Sequence, residues 1–299
     1  MALFAAFICS ILFWQSPKMS APSSFYIAGI ALSGFLILLL ALNGFNGRTI
    51  GWVHPNNIGK IAFAIVVLGS LASSRPVYAL QAFGVAIMLL VSSRGLLLAT
   101  SVFLLIQALL FPPRSLISLL GALVPVPLFA GLVLFLEPAR TWIYDFIDRV
   151  LAISDASRGI GSGFTGRTTY WQEGLSLALE RPILGYGFRT RGDHDFREAF
   201  SINAHSGFIN IVLDIGIVGL ASIFLMIALS LATSAHMYRN GSGAVRSLGG
   251  SGLCFFPALA IVWTFEPNYF NFGLTDFPIV VLLLTSWSRL IREPTTNEG

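Results

Sequence analysis

Long apolar stretches separated by short polar joints dominate the chain. They run at about 2–15, 24–43, 59–74, 76–92, 95–112, 115–136, 206–235, 247–264 and 277–288. Most approach the roughly 20 residues that a helix needs to cross a bilayer. The strict alternation of a half-buried strand is absent, which argues against a β-barrel. In lipid no water satisfies the backbone, so spans of this kind are helical. The pattern predicts an all-α, polytopic membrane protein with about nine transmembrane helices, one membrane domain over 1–299. The first run lacks a basic flank and a small-residue cleavage site, so it reads as a span and not as a signal peptide.

Composition sharpens the class. The chain is 55% hydrophobic, with a mean hydropathy of +0.79. Only 11% of its 299 residues are charged, against roughly 25% in soluble domains. That deficit excludes a soluble globular enzyme, a disordered chain and a nucleic-acid-binding domain. Cys9 and Cys254 both lie inside apolar runs, so neither a disulfide framework nor a cysteine metal site is expected.

Basic residues in short loops set orientation. Lys18, Arg75, Arg114, Arg239, Arg246, Arg289 and Arg292 fall on one side, seven in all, and Arg48, Lys60 and Arg94 on the other. The richer side is cytoplasmic by that bias. The long segment 137–205, between spans six and seven, then lies outside the cytoplasm.

That segment holds nine of the 14 acidic and eight of the 18 basic residues. A loop so long is usually functional or disordered, and this one is patterned. In Thr141–Leu151, Trp142, Ile143, Phe146, Ile147, Val150 and Leu151 share a helical face. In Thr169–Arg181, Trp171, Leu175 and Leu179 follow i, i+4 spacing, Thr169 and Gln172 suit a capping box, and Pro182 ends the helix. Both stretches are expected to lie at the bilayer surface.

Candidate chemistry is concentrated in the same segment. Ser157–Arg167 carries four glycines with Arg158 and Arg167, a mobile backbone with cationic forks that suits phosphate oxygens. On composition alone an ordinary Gly-rich turn is the preferred reading. Gly185–Arg191, with Arg189 and Arg191, has the same two readings. His205 closes the segment; an imidazole titrates near neutrality and is a natural general base. Asp193-His194-Asp195 is a D-x-D, a three-residue pattern too short to establish a metal site. No His pair has i, i+4 ligand spacing, so a His-rich zinc site is not expected. Asp214 lies well within a span, and Pro125 and Pro127 sit inside another. These features keep a transporter or flippase in view as the rival class.

Five segments, in order, resemble the O-antigen ligase and polymerase superfamily of bacterial envelope glycan enzymes. Gly51–Gly59 resembles its external G-x-x-x-P-N-x-x-G loop, which includes His54 and Asn56 here. Ser93-Arg94-Gly95 resembles its S-R-G at the outer end of a span. Gly166–Trp171 resembles its G-R-x-x-x-W, and Pro182–Gly187 its P-x-L-G-x-G. Ala204-His205-Ser206 opens a span that continues into Gly216–Leu220, similar to its G-x-x-G-L. The family's usual His-Asn is His205-Ser206 here, where Ser retains hydrogen-bonding capacity. The resemblance covers about 50 to 290. The N-terminal part is shorter than is common in the family, which points to a short or truncated member with an incomplete donor-lipid groove.

The resemblance implies a fold similar to the GT-C membrane glycosyltransferases, in the bacterial inner membrane with the active site facing the periplasm or exterior. It implies transfer of a glycan from a polyprenyl diphosphate carrier to an acceptor sugar hydroxyl, on a glycan or lipid-linked acceptor, without a cofactor, metal ion or nucleotide sugar. Membrane lipids are then partners and nucleic acid is not. By the same resemblance Arg94 and Arg167 hold the leaving diphosphate and His205 serves as base. Arg158, Arg189, Arg191, Trp171, His54 and Asn56 are the expected substrate contacts.

Overall fold

The computed structural model describes residues 21–46, 49–50, 53–71, 77–111, 141, 145, 148, 167–187 and 204–267. The expected spans at 2–15, 115–136 and 277–288 lie outside these residues, as do most of the first amphipathic stretch and all of Ser157–Gly166. The described chain is mostly helical: α1 Ala21–Asn43, α2 Pro55–Leu71, α3 Val77–Leu90, α4 Arg94–Leu110, α5 Arg167–Ala178, α6 Gly207–Asn240 and α7 Gly243–Phe265. Three of them, α1, α6 and α7, are long and apolar enough to cross a membrane, while α2, α3 and α4 are shorter apolar helices. A two-residue hairpin, β1 Phe45–Asn46 with β2 Thr49–Ile50, was not legible as alternation because each strand is so short.

Boundaries moved for identifiable reasons. The third expected span begins at Pro55, not at 59, because proline suits the first helical position. Lys60 is therefore not a loop charge; it is buried inside α2. The amphipathic helix of the long segment begins at Arg167, so Thr169 lies within its first turn and the proposed capping box does not form its start.

The chain separates into two compact units. The first contains α1 to α4 with residues 231–257. Its centre is α2, buried along almost its whole length. Small residues permit close helix approach, as is usual in membranes. A Cβ on Gly84 would stand 2.6 Å from the Ala62 carbonyl, and one on Gly59 would stand 2.8 Å from Ser93 Oγ. Phe63 makes an edge contact with Phe103 and stacks on Phe255, each at 6.3 Å. Tyr238 donates to the Leu110 carbonyl at 2.6 Å.

The second unit contains residues 119–230 and 258–269. Its main feature is a break in α6, where Ile215 and Gly216 leave helical geometry and Gly216 takes φ +65°. A straight helix would separate residues 208 and 224 by about 24 Å. Instead the Phe208 and Phe224 rings stack at 5.5 Å, so the two halves bend sharply toward one another.

A break of this kind frees carbonyls before it and amides after it, and each is costly if buried unpaired. Pro182–Gly187 supplies the partners. Tyr186 N–H donates to Leu213 O and Gly187 N–H to Asp214 O, both at 2.8 Å. Ile217 N–H donates to Pro182 O at 2.8 Å, and Val218 N–H to Ile183 O at 3.4 Å. Glycine is required on both sides of this junction. A Cβ on Gly185, at φ +67°, would meet Leu213 O at 2.6 Å, and one on Gly216 would meet Ile183 O within van der Waals radii. The helix α5 packs on the first half of α6 through Leu177, Ala178 and Leu213, with Ile209, Val212 and Tyr186 around them.

A Gly216→Ala variant should lose several degrees of melting temperature in detergent. It combines a left-handed cost of about 1–2 kcal/mol with a backbone clash. Gly34→Ala, in open space on α1, should be neutral or stabilising. Equal melting temperatures for the two variants would mean that the junction contributes nothing.

Candidate functional site

The sequence candidates divide between the two units. In the first, His54 caps α2: its exposed ring accepts the Asn56 backbone N–H through Nδ1 at 3.3 Å. Arg94 is the first residue of α4, preceded by the buried Ser92 and Ser93. Ser92 holds φ +53°, a left-handed conformation for a residue other than glycine. Gly59 packs against Ser93 and Leu96, so the Pro55–Gly59 and Ser93–Gly95 segments meet in the fold.

In the second unit α5 and the start of α6 bring Arg167, Trp171 and His205 into one neighbourhood. His205 also holds a left-handed backbone, φ +47°. Such conformations cost about 1–3 kcal/mol and persist where the surroundings enforce them. Both strained residues stand two positions before a helix, Ser92 before α4 and His205 before α6. The Tyr170 ring meets the His205 ring at 5.4 Å. Arg167 and Trp171 are i, i+4 neighbours on α5 and both reach Phe265. The guanidinium lies 6.0 Å from that ring, and the indole centroid is 6.3 Å from it.

Close packing of α5 depends on Gly174. A Cβ there would stand 2.8 Å from Ile209 Cγ2 and 3.1 Å from Ala204 Cβ. The inward face of α5 is thus Gly174, Leu177 and Ala178, while Leu175 and Leu179 are exposed. The apolar periodicity marked Leu175 and Leu179 as one face, but it is not the face that packs on protein.

Sequence reading missed Glu266. It follows the end of α7 and is only 3% exposed. Burial lowers the Arg167 guanidinium below its ordinary pKa, and the Glu266 charge pulls it back up. Glu266 is therefore a counter-charge for Arg167. Its turn is fixed to α6: Asn210 Nδ2 donates to the Pro267 carbonyl at 2.7 Å, and the Trp263 and Glu266 carbonyls lie against Gly207. A lone carboxylate after an apolar run carries no periodic signal. The available clue was a buried-span terminus facing the same loop as His205.

Arg158, Arg189, Arg191 and the Asp193-His194-Asp195 triplet lie outside the described residues. Among the described residues, no cluster of three His, Cys, Asp or Glu side chains is arranged to hold a metal ion. Asp214 is buried at the break, where its carbonyl accepts the Gly187 N–H.

Residues 79–225 match the family model Wzy_C, described as O-Antigen ligase. Over this stretch, about half of the chain, the sequence is similar to the O-antigen ligase family. The match opens in α3 and closes in α6. It takes in Arg94, Arg167, the Pro182–Gly187 turn, His205 and the helix break. The O-antigen ligase domain so defined omits His54, Asn56 and Glu266. No curated protein matches the chain.

Glu266 is buried and Arg167 half-buried, so removing the guanidinium leaves the carboxylate without its counter-charge, at a cost of about 1–3 kcal/mol. Glu266→Gln and Arg167→Met should each lower the melting temperature, and the double variant should lose less than the sum, with a coupling of about 0.5–3 kcal/mol. Strict additivity in thermal unfolding of the four proteins would show that the two charges do not interact.

Proposed function

We propose that this protein transfers a glycan from a polyprenyl diphosphate carrier to an acceptor sugar hydroxyl, with Arg167 and His205 as reacting-site residues. The family supports glycan transfer in surface polysaccharide synthesis. The observation that carries the finer reading is that α5 sets Arg167 one turn before Tyr170, whose ring touches His205. A cationic fork and an imidazole, on different elements, share one neighbourhood.

The acceptor hydroxyl attacks C1 of the donor sugar. The bond from C1 to the diphosphate oxygen breaks, and its electron pair leaves with the diphosphate. His205 takes the hydroxyl proton, a contribution worth typically about 10²–10⁴-fold. Arg167 meets the charge growing on the diphosphate, where a fixed cation lowers the barrier. Its guanidinium remains charged and offers bidentate hydrogen bonds. Glu266 holds that cation in place before the donor arrives. Arg94, at the start of α4, is a second diphosphate contact in this reading. Arg158, Arg189, Arg191, Trp171, His54 and Asn56 are proposed to contact the glycans. The chain has about nine spans in this reading, and the basic bias, seven to two once Lys60 is placed inside α2, turns the site away from the cytoplasm, toward the periplasm or exterior.

A transporter gains less from the structure. A broken helix near mid-span often exposes backbone groups to a substrate. In α6 the groups freed at the break are bonded to Pro182–Gly187 instead.

The test is donor binding and transfer in right-side-out membrane vesicles supplied with an impermeant acceptor glycan. Asparagine tolerates the left-handed region, so His205→Asn keeps the turn. It should bind the carrier-linked donor normally and transfer it about 10²-fold or more slowly. Arg167→Lys and Arg94→Ala should weaken donor binding. Wild-type transfer by His205→Asn would remove the base, and normal binding by both arginine variants would remove the clamp. No transfer to an external acceptor by the unmutated protein would place the site in the wrong compartment.

A further inference from the structure

The residues after α5 present apolar side chains that are exposed among the described residues. Leu179 is 77% exposed, Ile183 64% and Leu184 71%, and Leu175 is half-exposed above them. In a soluble chain such a patch marks an interaction surface. Its place in this fold identifies the partner.

The patch is tied to α6 by backbone hydrogen bonds. Ile217 N–H donates to Pro182 O and Val218 N–H to Ile183 O. Ile183 and Leu184 therefore stand beside Ile217 and Val218, which are themselves exposed at 53% and 51%. From Ile217 the exposed positions of α6 continue as a helical stripe through Ala221, Leu225, Ala228 and Leu229. Before the break the situation differs: no residue from Gly207 to Gly216 is exposed. The outward apolar face thus begins at the break and runs in one direction only.

Length places that start against the bilayer. The whole of α6 is 34 residues, about 51 Å if straight, far more than a hydrocarbon layer of about 30 Å. The bend shown by Phe208 on Phe224 removes the excess. From Ile217 to Asn240 the second half alone measures about 36 Å, one full crossing. The break therefore stands at the edge of the hydrocarbon, and the patch attached to it stands at the same edge. Its neighbours are those of an interface. Tyr186 donates to Glu180 Oε2 at 2.7 Å, and the Arg181 guanidinium lies 4.9 Å from the Tyr186 ring. Amphipathic rings and charges beside an apolar wedge are typical of the headgroup boundary.

We propose that Leu179, Ile183 and Leu184 insert into the hydrocarbon edge of the bilayer leaflet at the α6 break. The occupant of the patch is lipid acyl chain. The segment Leu179–Gly187 is then a membrane-seating element. It closes the backbone of a broken span on one side and grips the leaflet on the other. This inference needs only the membrane character of α6 and is independent of the transfer chemistry.

The test places nitroxide labels on the full-length chain, with Cys9→Ser to remove the second cysteine and Cys254 left buried. Labels go at Ile183→Cys, Leu184→Cys and, as a polar control on α5, Glu173→Cys. The protein is reconstituted in phosphatidylethanolamine–phosphatidylglycerol vesicles. At Ile183 and Leu184, collisions with oxygen should exceed those with a water-soluble nickel chelate; at Glu173 the order should reverse. Chelate-dominated collisions at both apolar sites would overturn the proposal. Spin–spin broadening there would also overturn it, in favour of a second copy of the chain. A lipid-like signal that arises only when polyprenyl phosphate is added would overturn it in favour of a carrier groove. Should the labelled variants fail to fold, a lipid-soluble carbene reagent is applied to the unmutated protein in the same vesicles. It should mark the peptide that carries Ile183 and Leu184, and absence of that mark contradicts the proposal.

Discussion

A helix inside a membrane has no solvent to repair a break in its backbone. The second unit is organised by that constraint. Ile215 and Gly216 interrupt α6, and the freed carbonyls of Leu213 and Asp214 and amides of Ile217 and Val218 are all taken up by one short turn. The turn can approach only because residues 185 and 216 have no side chain. Fixing the turn fixes the end of α5, and with it the helix that begins at Arg167. The interruption allows the first half of α6 to fold back, and His205 sits at the head of that half.

The charges follow from this arrangement. Arg167 is drawn in beside Phe265, where burial alone would disfavour its charge, and Glu266 offsets that cost. In the proposed reaction, a cation held near a counter-charge is pre-organised, so little rearrangement is needed when the diphosphate takes over its contacts. The strained backbone at His205 is held from several directions: Tyr170 against its ring, and Gly207 against the Trp263 and Glu266 carbonyls. The same economy of small residues recurs in the first unit at Gly59 and the Ser92–Arg94 turn.

Hydrophobic run length made the class and most helix positions legible, because burial in lipid imposes one simple pattern. The motif segments were legible too, and the fold explains two of them as a single feature. Pro182–Gly187 and Gly216–Leu220 are distant in sequence but complementary at the break. Sequence spacing gave no hint of this, since a backbone-to-backbone junction leaves no side-chain signature except the glycines. Glu266 escaped notice because its role depends on a long-range approach to Arg167. Leu175 and Leu179 were correctly seen as apolar and periodic, but periodicity does not say whether an apolar face meets protein or lipid.

The Pro182–Gly187 turn closes the break in α6, and hydrogen exchange at single-residue resolution on the full-length protein in micelles measures that closure most directly. The amides of Tyr186 and Gly187 lie in a non-helical turn, and that of Ile217 follows a broken helix. All three should nevertheless exchange slowly, and together, because each is bonded across the junction. Exchange of these amides at the rate of an open loop, with the rest of α6 protected, would contradict the account.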